Sequence, residues 1–322
     1  MNKIKTKVSR ETNYIYHMLS VAKCGYDNEY GNKYRDKHSL SDLKTLKDNE
    51  LLVTVKGGEH CGELYPCLIS MPASFDTQAP IYYEAMKYLY ETRNIEDAMK
   101  KYESIVNLIY DSIRQQFNAD PFDFLQGFFD HFSQSDVIAN AFVPICDVMI
   151  RNYSIYCFEI WQESEQELLP YAKNVEEIFR ESLFSKNLED VTNIKLKSEF
   201  FATFCNSLDG GAEAIDISAN QDVFGINRSY INAVEFISHE YIIYLLKQAL
   251  RDTVVFSNPI KYWAYIEGLA EFYLCLANGK ESGIFKEVQK EIDFYKEIYN
   301  KNSSITPSEL IHKAIESLAG IE

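Results

Sequence analysis

Positive charge is scarce in this 322-residue chain, where 32 Lys and Arg face 48 Asp and Glu for a formal net charge of −16. Such a balance argues against nucleic acid, whose phosphates need a basic face, and against an anionic membrane surface. No apolar run approaches the ~18 residues that a membrane-spanning helix needs. The basic start, Met1 to Lys7, is followed by no apolar segment, so no secretory signal is expected and a cytoplasmic location is. The seven cysteines form no C-x-x-C pair and are scattered among apolar neighbours. Reduced, buried thiols fit that pattern better than a disulfide framework or a metal knuckle. Also missing are a phosphate-binding G-x-x-x-x-G-K-S/T loop, a G-x-G-x-x-G turn after a strand, and a G-x-S-x-G elbow.

What is present suits a folded protein. The chain is 46% hydrophobic and carries 23 Tyr and 20 Phe, enough to bury a sizeable core in one large domain or two closely packed ones. Apolar periodicity expects a helix over 10–27, with Tyr14, Met18, Val21 and Ala22 on one stripe. Residues 28–50 read as polar and turn-rich, and Leu51 to Val55 as a strand ended by Gly57-Gly58. Ile81 to Phe117 reads as one or two helices, and Asp120-Pro121 as the start of another to about Phe132. Residues 136–185 are helical in period, with breaks expected near Pro144 and Pro170.

The pattern changes near residue 190. Asn193–Phe204, Ala214–Ser218 and Val223–Ile226 read as strands of a small antiparallel sheet. A nearly all-apolar helix is expected from Asn227 or Ser229 to Leu250, buried and central. A second, opened by Asn258-Pro259 and stopped by Gly279, runs to about Ala277. Two amphipathic helices, near 281–300 and 307–319, close the chain. The fold expected is therefore α+β and mostly helical. Residues 1–190 make a helical part, and 191–322 hold the sheet and a buried helix pair.

Chemistry concentrates in that pair. His239-Glu240 precedes Glu267-Gly268-Leu269-Ala270-Glu271-Phe272. A catalytic zinc takes three protein ligands and a water, and H-E-x-x-H supplies two histidines from one turn of helix, with the glutamate as general base. Here the position of the second histidine is Ile243, which has no lone pair to offer. On that frame His239 and Glu267 are the metal ligands and Glu240 is the base. Glu271, one turn beyond Glu267, is placed to bond the far nitrogen of His239 and fix its tautomer. Gly268 and Ala270 are small enough for this helix to approach the first one closely.

These strings resemble the gluzincins, the zinc peptidases that include thermolysin and the aminopeptidase N group. Trp263 to Phe272 is similar to their W-x-N-E-G-x-A-x-Y/F string, with the Trp displaced and Ile266 in place of Asn. Gly210 to Ala214 is faintly similar to their G-x-M-E-N substrate strand, without its Met and Asn. The resemblance covers residues 195–278. It implies a peptide or protein as substrate or partner, zinc as cofactor, and, through Ile243, a degenerate site impaired in hydrolysis. A missing third ligand has two conceivable substitutes: Glu235, one turn before His239, or a histidine from elsewhere (His17, His38, His60, His131 or His312). His312 is also an oxyanion candidate by order, and His60 with Cys61 sits in a glycine-rich segment that reads as a polar turn. The alternative reading is a non-catalytic module that holds a peptide or protein in the former cleft.

Overall fold

Side-chain caps and apolar faces fix the elements of the computed structural model, which describes residues 3–53, 71–74, 79–117, 119–133, 136–195, 199–208, 212–214, 220–250, 253, 255, 261–279 and 285–318. Strand β1 (Ile4–Lys7) leads into helices α1 (Arg10–Val21), α2 (Glu29–Tyr34), α3 (Leu40–Asp48), α4 (Ala79–Thr92), α5 (Ile95–Lys101), α6 (Glu103–Phe117), α7 (Pro121–Ser133), α8 (Asp136–Glu159), α9 (Trp161–Glu181) and α10 (Phe184–Thr192). Strands β2 (Phe200–Cys205), β3 (Ala212–Ala214) and β4 (Gln221–Gly225) follow. Helices α11 (Tyr230–Ala249), α12 (Trp263–Asn278), α13 (Gln289–Lys301) and α14 (Pro307–Leu318) complete the described chain. The protein is mostly helical, as expected, and no helix among the described residues is long and apolar enough to cross a membrane.

Several starts are the ones the sequence signalled. Asp120 accepts the N–H groups of Phe122 and Asp123 at the head of α7. Ser229 accepts Asn232 N–H at the head of α11. Thr306 and Glu309 exchange bonds in a capping box that opens α14. Gly279 ends α12 with φ +64, a left-handed conformation that glycine adopts without a Cβ penalty.

Other expectations are corrected. Residues 28–50 are helical: Asn28 accepts Gly31 N–H to start α2, and Ser39 accepts Asp42 N–H to start α3. The polar residues that read as turns are caps and exposed faces. Glu50–Val53 is a helical turn where a strand was expected, since a short apolar run does not distinguish the two; Gly57-Gly58, His60, Cys61 and Cys67 lie outside the described residues. Pro144 and Pro170 sit inside α8 and α9 without breaking them. Both are exposed, as are Asn140 and Gln166 four residues before them, so each proline lies on the solvent side of its helix.

The sheet is four-stranded in the order β1-β2-β4-β3. Among the described strands only β3 runs antiparallel, pairing Ala212 with Phe224 and Glu213 with Val223 at the edge. The other three strands form a parallel group, which corrects the expected antiparallel sheet. The difference lies in β2 and β4, which pair parallel although β3 comes between them in sequence, and in β1, which joins them from near the start of the chain.

The chain makes two compact units, each from separated segments. One is Thr6–Ala172 with Ala202–Arg228; the other is Met1–Lys5, Lys173–Phe201 and Ser229–Glu322. A single cut near residue 190 does not describe them, because α10 belongs with α11 to α14. In the first unit α1 is buried from Glu11 to Val21, on every face rather than along one stripe. Its polar side chains are tied down. Glu11 accepts from Ala79 N–H and Tyr153 O–H, and Asn13 donates to the carbonyls of Ser9 and Phe204. In the second unit the hub is α12, which packs against α10, α11, α13 and α14. Gly268 serves the α13 contact and not the α11 contact expected: a Cβ there would lie 2.4 Å from Glu291 Cβ.

Candidate functional site

The site lies within the second unit, on α11 and α12. His239 is ten residues past the Ser229 cap, on a part of α11 where every residue from Phe236 to His239 is buried. Its imidazole is 1% exposed, flanked by Phe236 (ring centroids 6.5 Å apart, stacked) and edge-on by Phe285 (5.0 Å). Glu267 and Glu271 are spaced at i and i+4 on α12, so both carboxylates reach one partner. Glu267 Oε2 is 2.9 Å from His239 Nε2. Glu271 Oε1 is 2.6 Å from His239 Nδ1, close enough for a strong ion pair although the N–H does not point along that line. Glu271 is fully buried, and the Glu267 side chain keeps 18% exposure.

Electrostatics follow from that geometry. Burial alone would lower the His239 pKa. The bonds to Glu267 and Glu271, with the nearby charge of Glu240, outweigh it and push the value up to about 10. His239 is therefore an imidazolium clamped between two carboxylates. Glu240 is half-buried, and its pKa is raised by burial first and by Glu267 and Glu271 after that, against the lowering effect of His239 and Lys247.

The expected residues are thus partly assembled. His239, Glu267 and Glu271 meet as the spacing anticipated, with Glu267 on the near nitrogen and Glu271 on the far one. Ile243 is 8% exposed in the apolar surface of α11. Among the described residues no group of three or more His, Cys, Asp or Glu side chains is arranged to hold a metal ion. Glu235 joins no such group. His17 and His38 bond each other in the first unit. His312 is exposed on α14. The side chain of His131, like His60, lies outside the described residues. These donors do not make a three-ligand zinc set: one imidazole nitrogen and one carboxylate face each other, and the next position is aliphatic.

Two features escaped the sequence reading. Phe285 caps the His239 ring from outside the helix pair, and no local pattern marks it. Phe236 does share the His239 face at i−3, a spacing visible in the sequence. Compared with known proteins, the chain matches no family model, no curated protein and no solved structure.

Proposed function

We propose that this chain is a gluzincin-like metallopeptidase homologue with a degenerate zinc site, which holds a peptide or protein segment without hydrolysing it by the usual metal-water route. The observation that carries this reading is the relation among His239, Glu267 and Glu271. The near nitrogen meets the carboxylate that would share a metal, and the far nitrogen meets the carboxylate that would orient the ring. Ile243 removes the second imidazole from the same turn. A metal held by His239 and Glu267 alone is bound far more weakly than one with three ligands. Zinc would also have to displace the proton that Glu267 and Glu271 stabilise on His239.

Zinc titration by calorimetry, with elemental analysis of protein purified without chelator, tests the proposal. Expected is no stoichiometric zinc in the native chain or in His239→Ala, and no cleavage of a mixed peptide library. Stoichiometric zinc that disappears in His239→Ala, with peptide cleavage lost in Glu240→Gln, would replace it with an active zinc peptidase.

A further inference from the structure

The first unit holds a second histidine cluster, made by residues far apart in sequence. His17 on α1 and His38, just before α3, are buried, and their Nε2 atoms are 2.8 Å apart. His17 Nδ1 is 3.0 Å from the Tyr30 hydroxyl on α2. His38 Nδ1 is 2.8 Å from Asn152 Oδ1 on α8.

The direction of every bond follows from Asn152. Its Nδ2 donates to Asp42 Oδ2 and to the Val148 carbonyl, so its Oδ1 is the acceptor that faces His38. His38 therefore carries its proton on Nδ1. Its Nε2 accepts from His17 Nε2–H, and His17 Nδ1 accepts from Tyr30 O–H. The network is fully satisfied with both rings neutral and with one proton between them. A first added proton goes to His17 Nδ1, turns the Tyr30 hydroxyl from donor to acceptor and puts charge in a buried place. A second leaves two N–H groups facing each other with no acceptor between.

Among the described residues the carboxylates near the pair already have partners of their own. Around His17 stand the rings of Tyr30, Tyr34 and Tyr156. Asp42 is paired with Arg151, and Glu159 with Lys37. Glu163 on α9 is taken by Lys33 and the Tyr34 hydroxyl. Cys205 on β2 bonds Ser207.

We propose that the His17–His38 pair is an acid-operated latch that holds the α2–α3 segment, residues 29–48, on α1 at neutral pH and releases it on protonation. Burial keeps both histidines below their ordinary pKa; the charge of His38 adds to this at His17, while the Asn152 bond and the charges of Asp42 and Glu159 oppose it at His38 without reversing it. The released segment therefore binds more protons than the latched one. Latching is complete above about pH 6.5 and weakens as pH falls below it, by up to about tenfold per pH unit for each histidine protonated on release.

Hydrogen exchange corrected for the intrinsic pH effect tests this on the whole chain. From pH 7 to 5, protection of amides in 29–48 should fall while α6 in the same unit stays flat, and His38→Gln should reduce the slope to the share that His17 carries. Nitrogen-15 imidazole spectra at pH 7 should show neutral His38 protonated on Nδ1 and neutral His17 on Nε2, a readout that does not need the variant to fold. Flat exchange in 29–48, equal loss across the whole unit, or charged rings at pH 7 would each overturn the latch.

Discussion

His239 on α11 and His17 on α1 are equally inaccessible, at 1% and 0% exposure, yet burial leads them to opposite charge states. His239 meets two carboxylates and is held as a cation up to about pH 10. His17 meets a phenol and another imidazole, and its pKa falls well below the ordinary value. Desolvation acts the same way on both. The partners decide, and with them the direction in which each unit responds to pH.

The largest expected effect comes from breaking the charged site. Glu271→Ala removes a fully buried carboxylate and leaves the imidazolium with Glu267 alone. Breaking a buried ion pair outright costs about 3–5 kcal/mol, and the remaining bond to Glu267 should hold the loss to the lower end of that range or below it. Urea unfolding followed at Trp263, in a Trp161→Phe background, would measure it in the second unit. A loss below about 1 kcal/mol would mean that His239 is not held as a cation.

Packing gives the next contrast. A Cβ on Gly31 would lie 2.5 Å from the Ser20 carbonyl oxygen in the first unit, and one on Gly268 would lie 2.4 Å from Glu291 Cβ in the second. Each Gly→Ala change should cost about 1–3 kcal/mol, the usual penalty of overpacking. Gly127, on α7, has nothing within 4 Å of where a Cβ would stand, so Gly127→Ala should be neutral or stabilise by up to about 1 kcal/mol. Thermal unfolding of the three variants would rank them, and a costly Gly127→Ala would contradict the open space there.

The pH response separates the two clusters. His239 has a folded pKa above its unfolded value of about 6.5, so its contribution is complete below that pH and lost as pH rises through about 10. His17 and His38 are shifted down, so their contribution is complete above about 6.5 and lost on acidification. With each tryptophan kept in turn, Trp161 should report the acid loss and Trp263 the alkaline one. Both probes failing at the same end of the scale would refute the assignment of opposite charge states.

The charged cluster was legible in the sequence because its parts obey helical spacing. Glu267 and Glu271 are one turn apart, and His239 lies on an apolar helix with a clear Ser229 cap. The neutral cluster was not. His17 and His38 bond each other and are held at their outer nitrogens by Tyr30 and Asn152, all contributed by separate stretches of chain, and one stretch read as polar turns because its caps resemble turn residues. The parallel strands were hidden because neither pairing joins strands that follow each other in sequence: β1 finds its partner almost two hundred residues away, and β2 pairs with β4 past β3. Pro144 and Pro170 misled because a proline's effect depends on whether it lies on the solvent side of its helix, which the sequence does not state.

The smallest expected change refines the charged site. Glu267→Gln keeps the shape and a hydrogen-bond acceptor for His239 Nε2 but removes one negative charge. The Glu267 side chain is 18% exposed, so solvent already screens part of its effect, whereas Glu271 is wholly buried beside Nδ1. The His239 pKa should therefore fall by about one unit, or ~1.4 kcal/mol, and stay above about 6.5. A nitrogen-15 titration of the imidazole would read this directly. A fall to that ordinary value or below would mean that Glu267 alone holds the charge, and that the off-line contact with Glu271 is a packing neighbour and not an ion pair.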